Sequence, residues 1–429
     1  MKILVVGSGG REHALAWALS KDPDATKIFA APGNPGIAQV ATYVPIQATN
    51  VDELARFASK EQIDLTVVGP EASLGAGIVD VFRKNRLRIF GPDKGAAQIE
   101  TSKSFALDLC SNYNIPIPHW MTFSHPAPAI EALDLLGPPW VVKADGLAAG
   151  KGTTVTSDRQ EAEAAIRREM KREARRVVIE EFIDGWEASF TATVSGGRAQ
   201  WLAPVFQDYK PIYDEDIGPN TGGMGVYSPL PEVTPSLVDK VRSRILDPSV
   251  KAMTTEGFPF QGVLYLNIIV RHGTSEPRLL EFNARFGDPE AQGIAPLVGK
   301  GLLAHMSAVA DDSKDPPLPE ISSSASVVVV LASKGYPDNP STGDRITIKE
   351  LSRSNVVVFH AGTGTDTNRG LVTAGGRVLN IAATGPDVRT ARIDAYSTID
   401  ESIHFAGMQY RHDIGSGETR RRRLEQVQS

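Results

Sequence analysis

A chain of 429 residues with 41% apolar content is too long for a single core and divides into roughly three ordinary domains. Its 45 Lys and Arg against 51 Asp and Glu give a formal charge of −6 with the signs interspersed, so nothing marks nucleic acid as a partner, and the single cysteine, Cys110, excludes an intrachain disulfide and Cys-rich zinc sites. No apolar run approaches the ~18–20 residues of a membrane span, and the start reads as a first strand rather than a signal peptide, so a reducing, cytoplasmic setting is expected.

From residue 1 to about 100, β-rich runs (Ile3–Val6, Lys27–Ala30, Asp64–Val68, Leu87–Phe90) alternate with helical patterns (Glu12–Leu19, Val51–Lys60). That rhythm predicts a parallel sheet flanked by helices. A helix over Thr101–Tyr113, with Cys110 as a buried thiol, ends at the extended Ile115-Pro116-Ile117-Pro118, so 101–118 reads as helix and linker. A small unit over 119–187 follows, with strands at Trp140–Lys143, Thr153–Thr156 and Val177–Phe182. Its polar helix over Asp158–Arg176 starts at an aspartate cap and carries Glu/Arg pairs, the pattern of a solvated face. Residues 188–318 hold longer strands, Ala188–Val194, Val263–Val270 and Arg278–Asn283, expected to form an antiparallel sheet under helices. Pro316-Pro317 and Ser322–Ser324 mark the next boundary. The last unit, 319–429, has strands at Val327–Leu331, Val356–His360 and Arg377–Ala383, and its Arg420–Arg423 run reads as a solvated tail. The expected class is α/β and α+β in several domains.

The apolar strand ending in Leu279-Leu280-Glu281-Phe282-Asn283-Ala284-Arg285 carries the most chemistry. Alternation puts Glu281, Asn283 and Arg285 on one face and sends Leu280 and Phe282 to the core. Carboxylate and amide oxygens suit hard Mg²⁺ beside phosphates, and an adjacent Arg can neutralise a phosphoryl group in transit. A solvated strand face would show the same alternation. Two glycine loops add to this picture. Gly7-Ser8-Gly9-Gly10-Arg11-Glu12-His13 follows the first strand, but Glu12 stands where a dinucleotide fingerprint needs its third glycine, and Ile28–Gly33 offers no carboxylate for a ribose. A glycine turn at a helix N-terminus, with Arg11, remains suited to a phosphate or carboxylate, or is a tight turn without ligand. Lys143-Ala144-Asp145-Gly146-Leu147-Ala148-Ala149-Gly150-Lys151-Gly152-Thr153 fails as a Walker A loop, because Asp145 and Gly152 stand where Gly and Ser/Thr are required. Between two strands it reads as a hairpin tip whose amides and Lys151 fold over phosphates, with Lys143 reaching in from the strand.

Lys143 with this hairpin, Val178–Ile183, Glu187 and Glu281-x-Asn283-x-Arg285 together resemble an ATP-grasp enzyme. Gly7–Ala14, Val68–Glu71, Lys143–Gly152, Gly218–Gly225, Phe282–Glu290 and Phe359–Thr363 resemble the phosphoribosylamine–glycine ligase family, from Met1 to about Ile414. The resemblance implies a Rossmann-like N-terminal domain preceding the grasp unit, a small ATP lid, a central grasp domain and a C-terminal domain that closes the site. It implies an ATP-dependent ligase that forms an amide from glycine and 5-phosphoribosylamine through an acyl phosphate. The cofactors would be ATP and Mg²⁺, or Mn²⁺ in its place, and the partners small molecules only, with a monomer or small homo-oligomer. Carried over, Lys103 and Lys143 contact ATP phosphates, and Gly150, Lys151 and Gly152 cover them. Glu180, Glu181 and Ile183 border adenine, and Glu187 takes the ribose hydroxyls. Glu281 and Asn283 hold the metal, and Arg285 stabilises the transferred phosphoryl or the amino-acid carboxylate. The acceptor is expected among Gly9, Gly10, Arg11, Glu12, Glu71, Asp208, Lys210, Asp216, Asn220 and Thr221.

The chain departs from the family around the acceptor. Asp208-Tyr209-Lys210-Pro211 replaces the usual Asp-His-Lys-Arg, Leu266-Asn267 replaces a small Ala-Gly pair, and Ala291 stands for Thr. An amide oxygen of Asn267 at the metal site is one account of its presence, and contact with the acceptor is another. Three readings follow: the family's own reaction, a paralogous ligase using another amino acid or phosphosugar amine, and a nucleotide-binding protein without catalysis.

Overall fold

The computed structural model describes residues 1–146, 152–171 and 176–417. Five parallel strands open the chain, ordered Thr42–Tyr43, Lys27–Pro32, Lys2–Gly7, Leu65–Val68 and Ile89–Phe90. Ile3, Leu4, Val5 and Val6 are all buried, as helices on both faces require of a parallel strand. Strand order reverses on either side of Lys2–Gly7, and ligands of such sheets bind outside the carboxyl ends at that switch point. Those ends carry Gly9–Glu12 after one strand and Glu71 after the next.

The small unit is an antiparallel sheet in the order Trp120–Phe123, Val177–Glu181, Trp140–Ala144 and Thr153–Thr156. Helices Pro126–Leu136 and Arg159–Glu169 cover one face, and Ala129, Leu133, Trp140, Val142, Ala162, Ile166 and Ile179 form a core separate from the main ones. Asp158 caps the second helix through Gln160 and Glu161 N–H groups, and the helix stops at Glu169 rather than Arg176. Alternation then sends Lys143 to the opposite, cleft-facing side from Val142.

The central sheet is antiparallel, ordered Arg198–Trp201, Gly185–Ser195, Gly262–Arg271 and Pro277–Asn283. A β-bulge interrupts its last pair. Asn267 faces Glu281 and Ile268 faces Leu279, which leaves Leu280 as the extra residue. The simple alternation expected for this strand is thereby corrected: Leu279 and Phe282 enter the core, while Leu280 lines the cleft beside Glu281.

Sequence order and sheet membership part company after this point. Gln207–Asp208 and Gly225–Ser228 join Ala325–Ala332, Arg377–Gly385 and Val356–His360 in one five-stranded antiparallel sheet, backed by the helix Val388–Ser402. The segment 207–228 thus links the central sheet to the C-terminal sheet and runs along the cleft between them. Among the described residues no helix is long and apolar enough to cross a membrane.

Candidate active site

One cleft of about 1410 Å³ lies where the four units meet. Ordinary small-molecule pockets span roughly 300–1,000 Å³, so it has room for a nucleotide and a second substrate. Its floor is the Pro277–Asn283 strand with Glu281 and Asn283 and, just beyond it, Arg285, its roof the strands of the small unit with Lys143 and Glu180, and its far wall the 207–222 segment.

Cations gather on the acidic floor. Glu281 receives Lys103 at 3.3 Å and Lys210 at 3.6 Å, and Lys210 also pairs with Glu187 at 3.3 Å. Burial alone would push the Glu281 carboxyl up, but Lys103, Lys210 and Lys143 overcome it and hold the group below the ordinary carboxylate range. Burial opposes the charge on Lys210, and Glu187, Glu281 and Asp208 more than restore it. Lys143 pairs with Glu180 at 2.6 Å and donates to the Leu280 carbonyl at 3.3 Å, so the bulge gives the lid a backbone anchor. Asn267 lies directly across from Glu281 and donates through Nδ2 to Glu187 at 3.1 Å.

At the other end, Arg285 stands between Glu71 at 3.3 Å and Glu100 at 3.0 Å, and Arg11 approaches Glu71 at 3.6 Å. Burial raises the Glu71 carboxyl, but Arg285 and Arg11 outweigh it and bring it down to about 2. Glu100 shifts the other way, because its burial outweighs Arg285. Arg377 pairs with Asp288 at 3.3 Å and donates to the Asp288 backbone at 2.9 Å. Behind the wall, Ser189, Tyr265 and Glu290 form a closed hydrogen-bonded group at 2.7–2.9 Å. Asp208 is pushed well up by burial and by Glu290, and its buried Oδ1 has no hydrogen-bond partner among the described residues.

The structure brings most of the residues singled out from sequence to this cleft: Lys103, Lys143, Gly152, Glu180, Glu181, Ile183, Glu187, Asn267, Glu281, Asn283 and Arg285 line it, with Arg11, Glu71, Asp208, Lys210, Asp216, Asn220 and Thr221. Gly150 and Lys151 lie outside the described residues. Gly9, Gly10 and Glu12 do not line the cleft. Glu12 accepts from Gly9 N–H at 2.6 Å and from Arg11 at 2.8 Å, so its carboxylate takes up the N-cap N–H at the start of this helix. Gly7 and Gly69 leave room for that side chain: a Cβ on either would fall within 2.5 Å of one of its atoms. Thr221 is also committed internally, donating to the Lys210 carbonyl at 2.7 Å and accepting from Gly223 N–H at 3.0 Å. The Glu181 carboxylate turns out of the cleft to Arg271 and Arg278. Tyr209 also stands in the cleft lining, and its ring is held by aromatic and cationic neighbours. It packs on Tyr227 with 6.1 Å between centroids and lies under the Arg411 guanidinium at 4.7 Å.

Sequence reasoning missed Glu100, Tyr265, Asp288, Glu290 and Arg377 as members of this wall. Asp288 and Glu290 stood inside a quoted motif and signalled themselves by charge next to Arg285. Glu100 and Arg377 come from units remote in sequence, and no local spacing points to them.

Comparison with known proteins bears on the whole chain. The family model for the phosphoribosylglycinamide synthetase N domain matches residues 1–100, that for the ATP-grasp (A) domain 101–291, and that for the C domain 326–417. A phosphoribosylamine–glycine ligase of Phenylobacterium zucineum is 44% identical over 422 residues, covering 97% of this chain and 99% of that one. One from Escherichia coli O6:H1 is 43% identical over 425 residues, covering 97% and 98%. Among solved structures, the phosphoribosylamine–glycine ligase of Thermotoga maritima superposes with a TM-score of 0.81 at 32% identity, covering 96% of this chain and 100% of that one. A biotin carboxylase of Campylobacter jejuni reaches 0.73 at 14% identity, covering 98% and 95%, which is a likeness of fold alone.

Proposed function

The chain belongs to the phosphoribosylamine–glycine ligase family and has the ATP-grasp fold, and from that premise we propose that it joins glycine to 5-phosphoribosylamine at the expense of ATP. The observation that carries the reading at the level of this chain is the convergence of Lys103, Lys143 and Lys210 on a strand bearing Glu281, Asn283 and Arg285. Lys103 and Lys210 are ion-paired to Glu281 and Lys143 to Glu180, and a triphosphate with a divalent cation would offer Lys103, Lys143 and Glu281 better partners. Lys103 and Lys143 would exchange carboxylates for phosphates, and Glu281 would exchange lysines for the metal.

The donor set fits Mg²⁺. Among the described residues no group of three or more His, Cys, Asp or Glu is arranged to hold a metal, which suits an ion usually bound by one or two protein oxygens and completed by phosphates and water. Glu281 and Asn283 would hold it, with the Asn267 amide oxygen nearby, and Mn²⁺ would serve in its place. The metal would supply charge neutralisation at the transferring phosphoryl group. Lys143 and Lys103 would orient the phosphates. The Glu181–Ile183 backbone and Glu180 would border the adenine, and Glu187 would meet the ribose.

Arg285, fixed between Glu71 and Glu100, is placed to hold the glycine carboxylate against the γ-phosphate. A carboxylate oxygen takes the phosphoryl group and ADP leaves. The acceptor nitrogen then displaces phosphate from the carbonyl carbon and gives up a proton. Asp208, an orphaned buried acceptor in the cleft wall, suits the glycine ammonium, while Arg11 and Glu71 at the sheet's switch point suit the acceptor. Closure of the lid and the C-terminal unit over this path keeps water from the activated acid. We place the protein in the cytoplasm, as a monomer or small homo-oligomer.

The test is phosphate release from ATP and Mg²⁺ with glycine and freshly prepared phosphoribosylamine, omitting each in turn. Release that needs all four supports the reading. Release with another amino acid and none with glycine would sink it.

A further inference from the structure

Among the described residues Arg411 is the largest fully buried side chain, and it lies outside the cleft. A buried guanidinium is tolerated only when its donors are met. Here Nε donates to Asp413 Oδ1 at 2.8 Å, Nη2 to Asp413 Oδ2 at 2.6 Å, and Nη1 to Asp216 Oδ1 at 2.8 Å and the Pro211 carbonyl at 3.1 Å. The Tyr209 ring covers its face. Two of these partners, Pro211 and Asp216, belong to a hairpin formed by Pro211–Tyr213 and Ile217–Asn220.

That hairpin is a two-stranded sheet of its own, and a lone hairpin is marginal in water. Its turn is also strained, since Glu215 and Asp216 both adopt left-handed backbone, with φ of 62° and 56°. The C-terminal segment pins this turn residue by residue. Asp413 accepts from Glu215 N–H at 3.0 Å, Asp214 accepts from His412 N–H at 2.7 Å, and Asp216 accepts from Arg411. On its other side the hairpin lines the cleft with Asn220, begins next to Lys210, and lies beside the lid strand Thr153–Thr156.

We propose that Arg411 is a positioning residue for the ligation: without touching substrate, it clasps the Pro211–Asn220 hairpin and so fixes Lys210 and Asn220 at the cleft wall. The clasp also accounts for Tyr209 and Pro211, which supply a ring face and a carbonyl to the same guanidinium. The inference rests on the function proposed above, and its test has one arm that does not depend on activity.

In that arm, amide hydrogen exchange is compared between the full-length protein and Arg411→Met. Asp214–Asn220 should exchange at least ~10-fold faster in the variant while Phe282–Arg285 is unchanged, the mark of local rather than global opening. In the kinetic arm, kcat/KM for phosphoribosylamine should fall at least ~10-fold, mainly through KM, with nucleotide affinity within about twofold and part of the loss recovered in Arg411→Lys. Asp413→Asn, which leaves the guanidinium in place, should show the same pattern at smaller size and serves if Arg411→Met does not fold. Unchanged exchange in the hairpin, or a loss of kcat at constant KM that follows the melting temperature, overturns the proposal. A wild-type protein that does not ligate glycine defeats the functional reading instead, and the exchange arm still decides whether Arg411 pins the hairpin.

Discussion

Two carboxylates show how this site stores charge for a ligand. Lys103 and Lys210 stand 3.3 and 3.6 Å from the two oxygens of Glu281, with Lys143 close behind on the lid. Removing the carboxylate would take away the proposed metal ligand and leave the lysines facing each other, yet it opens no hole in the apolar core. Glu281→Ala should therefore lower kcat by at least ~100-fold, from the several kcal/mol that a metal contact contributes, while the melting temperature moves by less than about 4 °C. Calorimetry beside a phosphate-release assay checks both. Glu71 is the acid-sensitive member. Arg285 and Arg11 draw it from an ordinary 4.5 down to about 2, so the unfolded chain takes up the proton first. Its stabilisation is complete above about pH 4.5 and lost as the pH falls towards 2, and amounts to a few kcal/mol. Glu71→Gln should be less stable than the parent at neutral pH, and the difference should shrink through that window and vanish below it. Parallel melts that stay separated at pH 2 would contradict the assignment.

Elements were legible where local pattern decides them. The first parallel sheet, the lid strands and the long central strands stand where alternation and apolar runs put them, because one buried face is enough to set a strand's period. The bulge at Leu280 escaped because nothing in Leu279-Leu280-Glu281 distinguishes an extra residue from a regular one; the partner strand imposes it. The pairing of the Glu12 carboxylate with Gly9 N–H was readable in principle, since the spacing from Gly9 fits one half of a capping box. Gly10 has a different task. A Cβ there would stand 2.4 Å from Asn380 Nδ2 and 2.5 Å from Gln292 Nε2, both fully buried, so the glycine lets the N-terminal helix approach the C-terminal sheet. Gly10→Ala should cost on the order of 1–3 kcal/mol by overpacking. A denaturant midpoint equal to the parent's would show that those amides can move.

At the scale of the whole molecule the site is a meeting of four units, and that is why only part of it was visible beforehand. Glu281 and Asn283 share one short strand and Arg285 follows just beyond it, so their types and spacing suggested a phosphate and metal site from sequence alone. Glu100, Arg377 and Arg411 reach their places through contacts 89 to 200 residues away in sequence, and no periodicity encodes such contacts. Segment 207–228 does the joining: it pairs with the C-terminal sheet, walls the cleft with Asp208 and Lys210, and presents the hairpin that Arg411 clasps. The architecture makes sense for a reaction whose activated acid must meet an amine before it meets water, with each unit supplying one wall and the lid and C-terminal sheet completing enclosure. The most direct measurement supplies glycine labelled with ¹⁸O in its carboxylate, together with ATP, Mg²⁺ and phosphoribosylamine, and weighs the inorganic phosphate released. Transfer of a single labelled oxygen to each phosphate is the predicted result, because the oxygen that attacks phosphorus departs with it. Unlabelled phosphate accompanying amide formation would contradict an acyl phosphate and the site built around it.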